Sequence, residues 1–196
     1  MSQQENKQSI NVGVIGAGGR MGRMLIEAVQ ENPQTTLNAA IERQGSSLVG
    51  ADAGEVAAIG RLDVQIVDDL KAVINDIDVL IDFSLPDATE QNMQICAANK
   101  VAMVIGTTGF NEQQEQVLAE ASKQIAIVYA GNYSTGVNLS LKLLGMAAKA
   151  FGSDADVEVI EAHHKHKIDA LSGTAYMMAE AIAEARGQNL KDVAVY

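Results

Sequence analysis

The chain has 196 residues, of which 47% are hydrophobic, so it can bury a core of its own and is not globally disordered. Its formal net charge of -11 opposes contact with nucleic-acid phosphates and anionic lipid, and we expect neither a nucleic-acid nor a membrane partner. No apolar run approaches the roughly 20 residues that cross a bilayer. The lone Cys96 and the polar N-terminus, which carries no apolar signal core, predict a soluble, cytoplasmic protein.

Short β-branched runs alternate with helical patterns in the first two thirds of the chain. The predicted strands are 10–15, 36–41, 64–67, 79–83, 101–105 and 125–129, and the predicted helices are 20–31, 86–99 and 112–123. Residues 44–61 are rich in Gly, Ala and Ser and predict a long connection. This alternation is typical of an α/β protein with a doubly wound, Rossmann-like parallel sheet.

A second domain is predicted to begin near Asn132, which divides the chain into residues 1–131, a dinucleotide-binding domain, and 132–196, a substrate-binding domain. Its predicted elements are a helix over 137–150, a strand over 157–162, a helix over 174–185 that stops at Gly187, and the start of a further strand at 193–196. A sheet of fewer than three strands is marginal. We therefore expect this α+β domain to be incomplete at its C-terminus.

The segment 11–22, NVGVIGAGGRMG, has the features of a phosphate-binding turn. Gly16 and Gly18 match the first two positions of G-x-G-x-x-G, whereas Met21 occupies the third and Gly22 follows it. The turn follows an apolar strand and opens a helix, whose N-terminus attracts phosphate. It therefore predicts a site for a nicotinamide dinucleotide, the alternative being a glycine-rich turn without a ligand.

An acidic residue, Glu42, ends the second predicted strand, about 20 residues beyond the turn, where a carboxylate binds the adenosine ribose of NAD. Arg43 follows it, and a guanidinium there can pair with the additional phosphate of NADP. The pair predicts use of both NADH and NADPH. The alternative interpretation is a pair of solvated surface charges.

All three histidines of the chain lie in 161–167, EAHHKHK, together with two lysines. A solvated basic turn, a metal site and an anion-binding catalytic site are the three interpretations. Metal is disfavoured, because adjacent lysine cations oppose a divalent ion, and we expect none. Catalysis is favoured because Ser172, Gly173 and Thr174 open a predicted helix whose N–H and hydroxyl groups can hold a carboxylate. The cluster therefore predicts a small acidic substrate.

Two loops follow neighbouring predicted strands at the edge where ligands bind in such sheets. The loop 106–109 is GTTG and the loop 131–134 is GNYS. Each alone is typical of an ordinary turn. Together they predict one crevice, with 106–109 facing the nicotinamide ring.

Three motifs, GAGGRMG (16–22), GTTGF (106–110) and EAHHKHKIDALSGTA (161–175), are similar to those of the dihydrodipicolinate reductase family, also called 4-hydroxy-tetrahydrodipicolinate reductases. The resemblance covers residues 10–196 and implies an NAD(P)H-dependent oxidoreductase of lysine and diaminopimelate biosynthesis. By this resemblance, His163 and Lys167 form the acid–base pair, and His164, Gly173 and Thr174 bind a dicarboxylate substrate. The residues that it implies for the cofactor are Gly16, Ala17, Gly18, Gly19, Arg20, Met21, Glu42, Arg43, Gly106, Thr107, Thr108, Ala130, Gly131, Asn132 and Tyr133.

The resemblance also implies a homotetramer, provided that the C-terminal region is present. Leu171 stands where the family has proline, which predicts a less rigid substrate loop. If the polypeptide ends at Tyr196, we expect weak or absent reductase activity. Two alternatives stay open: another two-domain NAD(P)-dependent dehydrogenase, and a non-catalytic, truncated module that only binds a dinucleotide.

Overall fold

The computed structural model describes residues 9–163 and 172–195. The chain divides into two compact units, Met1–Ala130 and Gly131–Tyr196. This division lies one residue before the boundary expected from the sequence.

The first unit contains a six-stranded parallel sheet in the order β3-β2-β1-β4-β5-β6. The strands are β1 (Ile10–Ile15), β2 (Thr35–Ile41), β3 (Ile66–Val67), β4 (Val79–Asp82), β5 (Ala102–Ile105) and β6 (Ile127–Tyr129). Strand order reverses between β1 and β4, which is where ligands bind in doubly wound sheets. The predicted Rossmann-like fold is confirmed.

The helices of this unit are α1 (Arg20–Glu31), α2 (Ala53–Val56), α3 (Leu70–Val73), α4 (Pro86–Asn99) and α5 (Glu112–Ser122), with a 3₁₀ turn at Ile74–Asp76. Local chemistry sets their ends. Pro86 opens α4 at a position that needs no N–H, and Asn111 and Gln114 form a capping box that begins α5. The prediction of a long connection over 44–61 was wrong in one respect, because this segment contains the short helix α2, which Asp52 caps.

The sheet separates two hydrophobic clusters, and the residues of β4 alternate between them. Leu80 packs in a cluster with Met93 and Met103, whereas Val79 and Ile81 pack against the other, which contains Ile26. Alternation is expected because successive side chains of a strand point to opposite faces. Helices cover both faces, which is why β1 and β4 read as nearly continuous apolar runs.

The second unit, in its described part, consists of the helices α6 (Thr135–Phe151), α7 (Gly173–Ala185) and α8 (Leu190–Val193). Helix α7 ends as predicted at Gly187, which has a positive φ of 69°. The N–H of Gly187 donates to the carbonyl of Glu184, and that of Gln188 to the carbonyl of Ala183. These two bonds form a Schellman motif, which favours glycine at this position.

Two predicted strands of this unit were wrong. Residues 157–162 have no regular secondary structure, and Val193 lies in α8 rather than in a strand. The apolar side chains of Val157, Val159 and Ile160 are exposed. A strand needs a partner for its backbone groups, and none of the described residues pairs with this segment.

None of the helices in the described ranges is long and apolar enough to span a membrane.

Candidate functional site

The turn between β1 and α1 is held by backbone bonds. Gly16 has a positive φ of 70°, and the N–H groups of Gly16 and Ala17 both donate to the carbonyl of Ile41 at the end of β2. The N–H of Gly19 donates to the carbonyl of Gly16 at 2.9 Å. Glycine suits position 16 because it adopts a positive φ without steric cost. The turn, which continues β1, is therefore anchored to the end of the neighbouring strand β2.

Gly22 fills the role of the third glycine in the dinucleotide fingerprint. A Cβ atom at this position would lie 2.0 Å from the carbonyl oxygen of Gly16 and 2.9 Å from the Cα of Ala17. No side chain fits there, so the glycine allows α1 to pack directly on the turn. The contact with the Gly16 carbonyl is made by Gly22, one residue later than G-x-G-x-x-G predicts, and not by Met21.

A cleft of about 580 Å³ opens beside this turn. Arg20 and Met21 from α1 line it, together with Glu42 and with Phe83, which follows β4. The N-cap of α1, Gly19, has no side chain to cap the first N–H groups, and the first helical turn has no acidic residue. An uncapped N-terminus beside an arginine suits a pyrophosphate, so these residues fit the dinucleotide expected from the sequence.

Glu42 lies at the ribose end expected for a dinucleotide. One of its carboxylate oxygens accepts a bond from the Gly18 N–H at 2.8 Å, and the other accepts one from the Arg43 N–H at 3.2 Å. A carboxylate has about four acceptor positions, so it can accept ribose hydroxyls as well. The Arg43 side chain next to it is exposed.

A buried polar network fastens the ends of β4 and β5. Asp82 is fully buried; its Oδ1 accepts bonds from the backbone N–H and the hydroxyl of Ser84, and its Oδ2 accepts one from the Asn92 amide at 2.8 Å. The Ser84 N–H is shared with Thr107 Oγ1, which also lies 2.8 Å from the hydroxyl oxygen of Thr89. One hydrogen-bond network therefore joins the loops that follow β4 and β5.

Two further sequence-predicted residues, Gly106 and Ala130, lie close to the ends of β4 and β5. Gly106 packs against Phe83, whose ring atom Cε1 would be 2.1 Å from a Cβ at that position. Thr108 is exposed, and the Ala130 N–H donates to the Ile105 carbonyl at 3.3 Å, which places residue 130 beside this loop. Gly131, Asn132 and Tyr133 belong to the second unit.

Cys96 lies on α4 and is fully buried. Burial, and to a smaller extent the charge of Asp82, raises the pKa of its thiol to about 12. The thiol therefore stays neutral at physiological pH and is not a nucleophile of this site.

In the second unit, Ser172 caps α7 by accepting a bond from the Ala175 N–H at 3.1 Å. The next two residues, Gly173 and Thr174, form the first turn of the helix at its positive end. Glu161 accepts a bond from the Ser172 N–H at 2.8 Å and lies 3.4 Å from His163 Nδ1. The Glu161 carboxylate therefore contacts both His163 and the residue that caps α7.

Three residues discussed in the sequence analysis lie outside the described residues: His164, Lys167 and Leu171. Within the part of the chain that is described, no group of three or more His, Cys, Asp or Glu residues could hold a metal ion.

Two family models match the sequence. The model for dihydrodipicolinate reductase, N-terminus, matches residues 10–133, and the model for dihydrodipicolinate reductase, C-terminus, matches residues 136–195. The chain belongs to the dihydrodipicolinate reductase family. Reductases of this family use NADH or NADPH, in agreement with the dinucleotide cleft of the first unit.

Two curated relatives are named 4-hydroxy-tetrahydrodipicolinate reductase. The protein from Psychrobacter arcticus is 90% identical over 196 residues, which is the whole of this chain and 70% of that protein. The protein from Acinetobacter baylyi is 58% identical over 188 residues, or 96% of this chain and 68% of that protein.

A solved structure, dipicolinate-bound dihydrodipicolinate reductase from Paenisporosarcina sp. TG-14, matches with a TM-score of 0.71 and 33% identity, covering 91% of this chain and 67% of that one. GenD2 from gentamicin A biosynthesis, in complex with NAD, has a TM-score of 0.53 at 18% identity over 70% of this chain and 39% of that one. The second likeness concerns the fold alone.

Sequence reasoning missed the buried network of Asp82, Thr89 and Asn92 at the ends of β4 and β5, and it missed the contacts of Glu161 in the second unit. The segment after β4 did carry a signal, since an Asp at the end of a buried apolar strand needs partners. No spacing rule, however, identifies which residues supply them.

We expect Gly22→Ala to weaken NADH binding at least roughly tenfold, because the added methyl group forces α1 away from the Gly16 carbonyl. Titration of NADH fluorescence measures the affinity, and circular dichroism checks that the variant is folded. Gly145→Ala is the matched control, because it lies within α6 and its Cβ would meet other atoms only at 3.6 Å or beyond. An unchanged NADH affinity in Gly22→Ala would contradict the proposed close packing.

We expect Asn92→Leu to lower the free energy of unfolding by about 2–3 kcal/mol, because it leaves a buried carboxylate oxygen of Asp82 without its amide donor. Urea unfolding followed by circular dichroism measures the effect. Asn99→Leu, on the same helix, removes only an exposed bond to the Ile95 carbonyl and serves as the control. Equal losses in the two variants would show that the network does not stabilise the fold.

Proposed function

We propose that this chain reduces 4-hydroxy-tetrahydrodipicolinate to tetrahydrodipicolinate with NADH or NADPH, in the biosynthesis of diaminopimelate and lysine. The observation that carries the proposal is the 90% identity to the Psychrobacter arcticus reductase, which spans the whole chain and includes the histidine segment. The dinucleotide cleft of the first unit and the cluster at the start of α7 support it independently.

On the cofactor side, the N-terminus of α1 and Arg20 would bind the pyrophosphate, and Glu42 the adenosine ribose. Gly16 to Met21, Gly106 to Thr108 and Ala130 to Tyr133 complete the proposed contacts. When bound, the reduced nicotinamide supplies a hydride. The buried Asp82 network would hold the loop 106–109 in place for it.

On the substrate side, the backbone N–H groups of Gly173 and Thr174, at the positive end of α7, would bind a substrate carboxylate. His164 is assigned to the same task. The Paenisporosarcina reductase has dipicolinate bound, and this planar dicarboxylate has the charge that such a site would select.

His163 and Lys167 are proposed as the acid–base pair. A lysine ammonium suits the role because it offsets the charge of an anionic substrate and can donate the proton that a reduced ring nitrogen requires. His163 would relay or hold that proton, with the Glu161 carboxylate beside its Nδ1 atom.

We also propose that the protein acts in the cytoplasm and as a homo-oligomer, a tetramer by family resemblance. The acidic composition, with a net charge of -11, and the single buried cysteine support an intracellular compartment.

Two other functions are less well supported. Another two-domain dehydrogenase would not explain the match of the second family model to residues 136–195. A module that binds a dinucleotide without turnover would not require the contacts that join His163 and α7 to Glu161.

A steady-state assay with condensed aspartate semialdehyde and pyruvate, following the loss of NADH, tests the activity. We expect a decrease in kcat of about 100-fold or more in His163→Gln and Lys167→Ala, with unchanged NADH affinity. NADH binding without turnover in any version of the chain, including one with the C-terminal region restored, would overturn the reductase assignment in favour of the non-catalytic module.

Cofactor choice is tested by separate substitutions. We expect Arg43→Ala to weaken NADPH binding about tenfold and NADH binding less than about twofold, since the exposed guanidinium is proposed to pair with the additional phosphate of NADPH. Glu42→Ala is expected to weaken NADH binding, because it removes the acceptor for the ribose hydroxyls. Calorimetric titration with both cofactors measures the ratio, and an equal loss for both in Arg43→Ala would contradict this role.

A further inference from the structure

We propose that Glu161 is a positioning residue that sets the orientation and proton location of His163 and fixes the start of α7 against it. The inference rests on the proposed function, in which His163 belongs to the acid–base pair and α7 binds the substrate. It assigns to Glu161 a role that is exercised through its contacts with His163 and Ser172.

The first contact fixes the substrate-binding helix. Glu161 Oε1 accepts a bond from the backbone N–H of Ser172 at 2.8 Å, across 11 residues of sequence. Ser172 is itself buried and caps α7 through its hydroxyl. Because Gly173 and Thr174 follow directly, the carboxylate determines where their N–H groups point.

The second contact acts on the histidine. Glu161 Oε2 lies 3.4 Å from His163 Nδ1, so a carboxylate charge faces this nitrogen. A carboxylate accepts but cannot donate, which favours the tautomer with its proton on Nδ1 and leaves Nε2 as the proton acceptor.

The two contacts use different oxygens of one carboxyl group, so they can be separated by substitution. Glu161→Gln keeps an oxygen that can accept from Ser172 but removes the charge that faces His163. Glu161→Ala removes both. An exposed ion pair with no further role would contribute little, and neither variant would then affect catalysis.

Kinetics of the full chain provide the first test. We expect Glu161→Gln to lower kcat roughly tenfold, with the KM for the substrate changed less than about threefold. A positioned acid or base contributes a rate enhancement of about 10²- to 10⁴-fold, and loss of its orientation should remove a part of this enhancement. Glu161→Ala is expected to raise KM as well. Glu158→Gln, an exposed carboxylate in the same segment, is the control for charge and is expected to behave like the wild type.

A double-mutant cycle shows whether Glu161 acts through His163. In a His163→Gln background, Glu161→Gln should lower kcat no further, because the group that it positions is gone. An equal loss in both backgrounds, or a Glu161→Gln variant indistinguishable from Glu158→Gln, would overturn the proposal.

Imidazole nitrogen NMR tests the contact without turnover. The chain has only three histidines, and His163→Gln assigns the signal of interest. We expect the Nδ1-protonated tautomer of His163 in the wild type and a shift toward the Nε2-protonated form in Glu161→Gln. An Nε2-protonated His163 in the wild type would overturn the inference, whereas absent turnover with the expected spectra would count against the proposed function alone.

Discussion

The buried carboxylate of Asp82 is the constraint on which the cofactor edge of the sheet depends. An ion removed from water is tolerated only when its acceptor oxygens are satisfied, and here the donors come from Ser84, on the loop that follows β4, and Asn92, on α4. Thr107 joins the loop after β5 to the same network. The donors lie on a loop and on a helix, so the carboxylate holds the loop after β4 against α4. Phe83, which lines the cleft, lies between the two bonded residues Asp82 and Ser84 in this loop.

Backbone packing imposes a second constraint at β1 and α1. The space between Gly16 and Gly22 holds two backbones and no side chain, so the position of the third glycine follows from where the helix first meets the turn. In this chain the meeting point lies at Gly22 rather than at Met21. A strict match to G-x-G-x-x-G therefore scores this turn as imperfect. The contact between Gly22 and Gly16 nevertheless meets the requirement behind the third glycine, which is close packing of the helix on the turn.

Sequence reasoning succeeded where the signal is local. The bounds of α1 and α4 and the run of parallel strands follow from apolar periodicity, glycine and proline, and the capping residues. It failed where structure depends on distant partners, as in the segment 157–162, whose apolar pattern is that of a strand but which pairs with none of the described strands. The candidate site shows the same difference between local signals and contacts made through the fold. Gly16, Glu42 and His163 stand out by type and spacing, but the bonds that connect Asp82 with Asn92, or Glu161 with Ser172, join residues 10 and 11 positions apart through the fold.

The two ends of the cofactor site differ in how strongly the fold constrains them. At the network end, a change of one side chain leaves a buried polar atom without its partner, so substitutions there act on the fold and on the cleft together. At the end where Glu42 is proposed to bind the ribose, its carboxylate accepts a bond from the Gly18 N–H, while the adjacent Arg43 side chain is exposed. A residue with an exposed side chain can be substituted at small cost in the free energy of unfolding. Under the role proposed for Arg43, selection between NADH and NADPH can therefore change at position 43 while the Asp82 network stays intact.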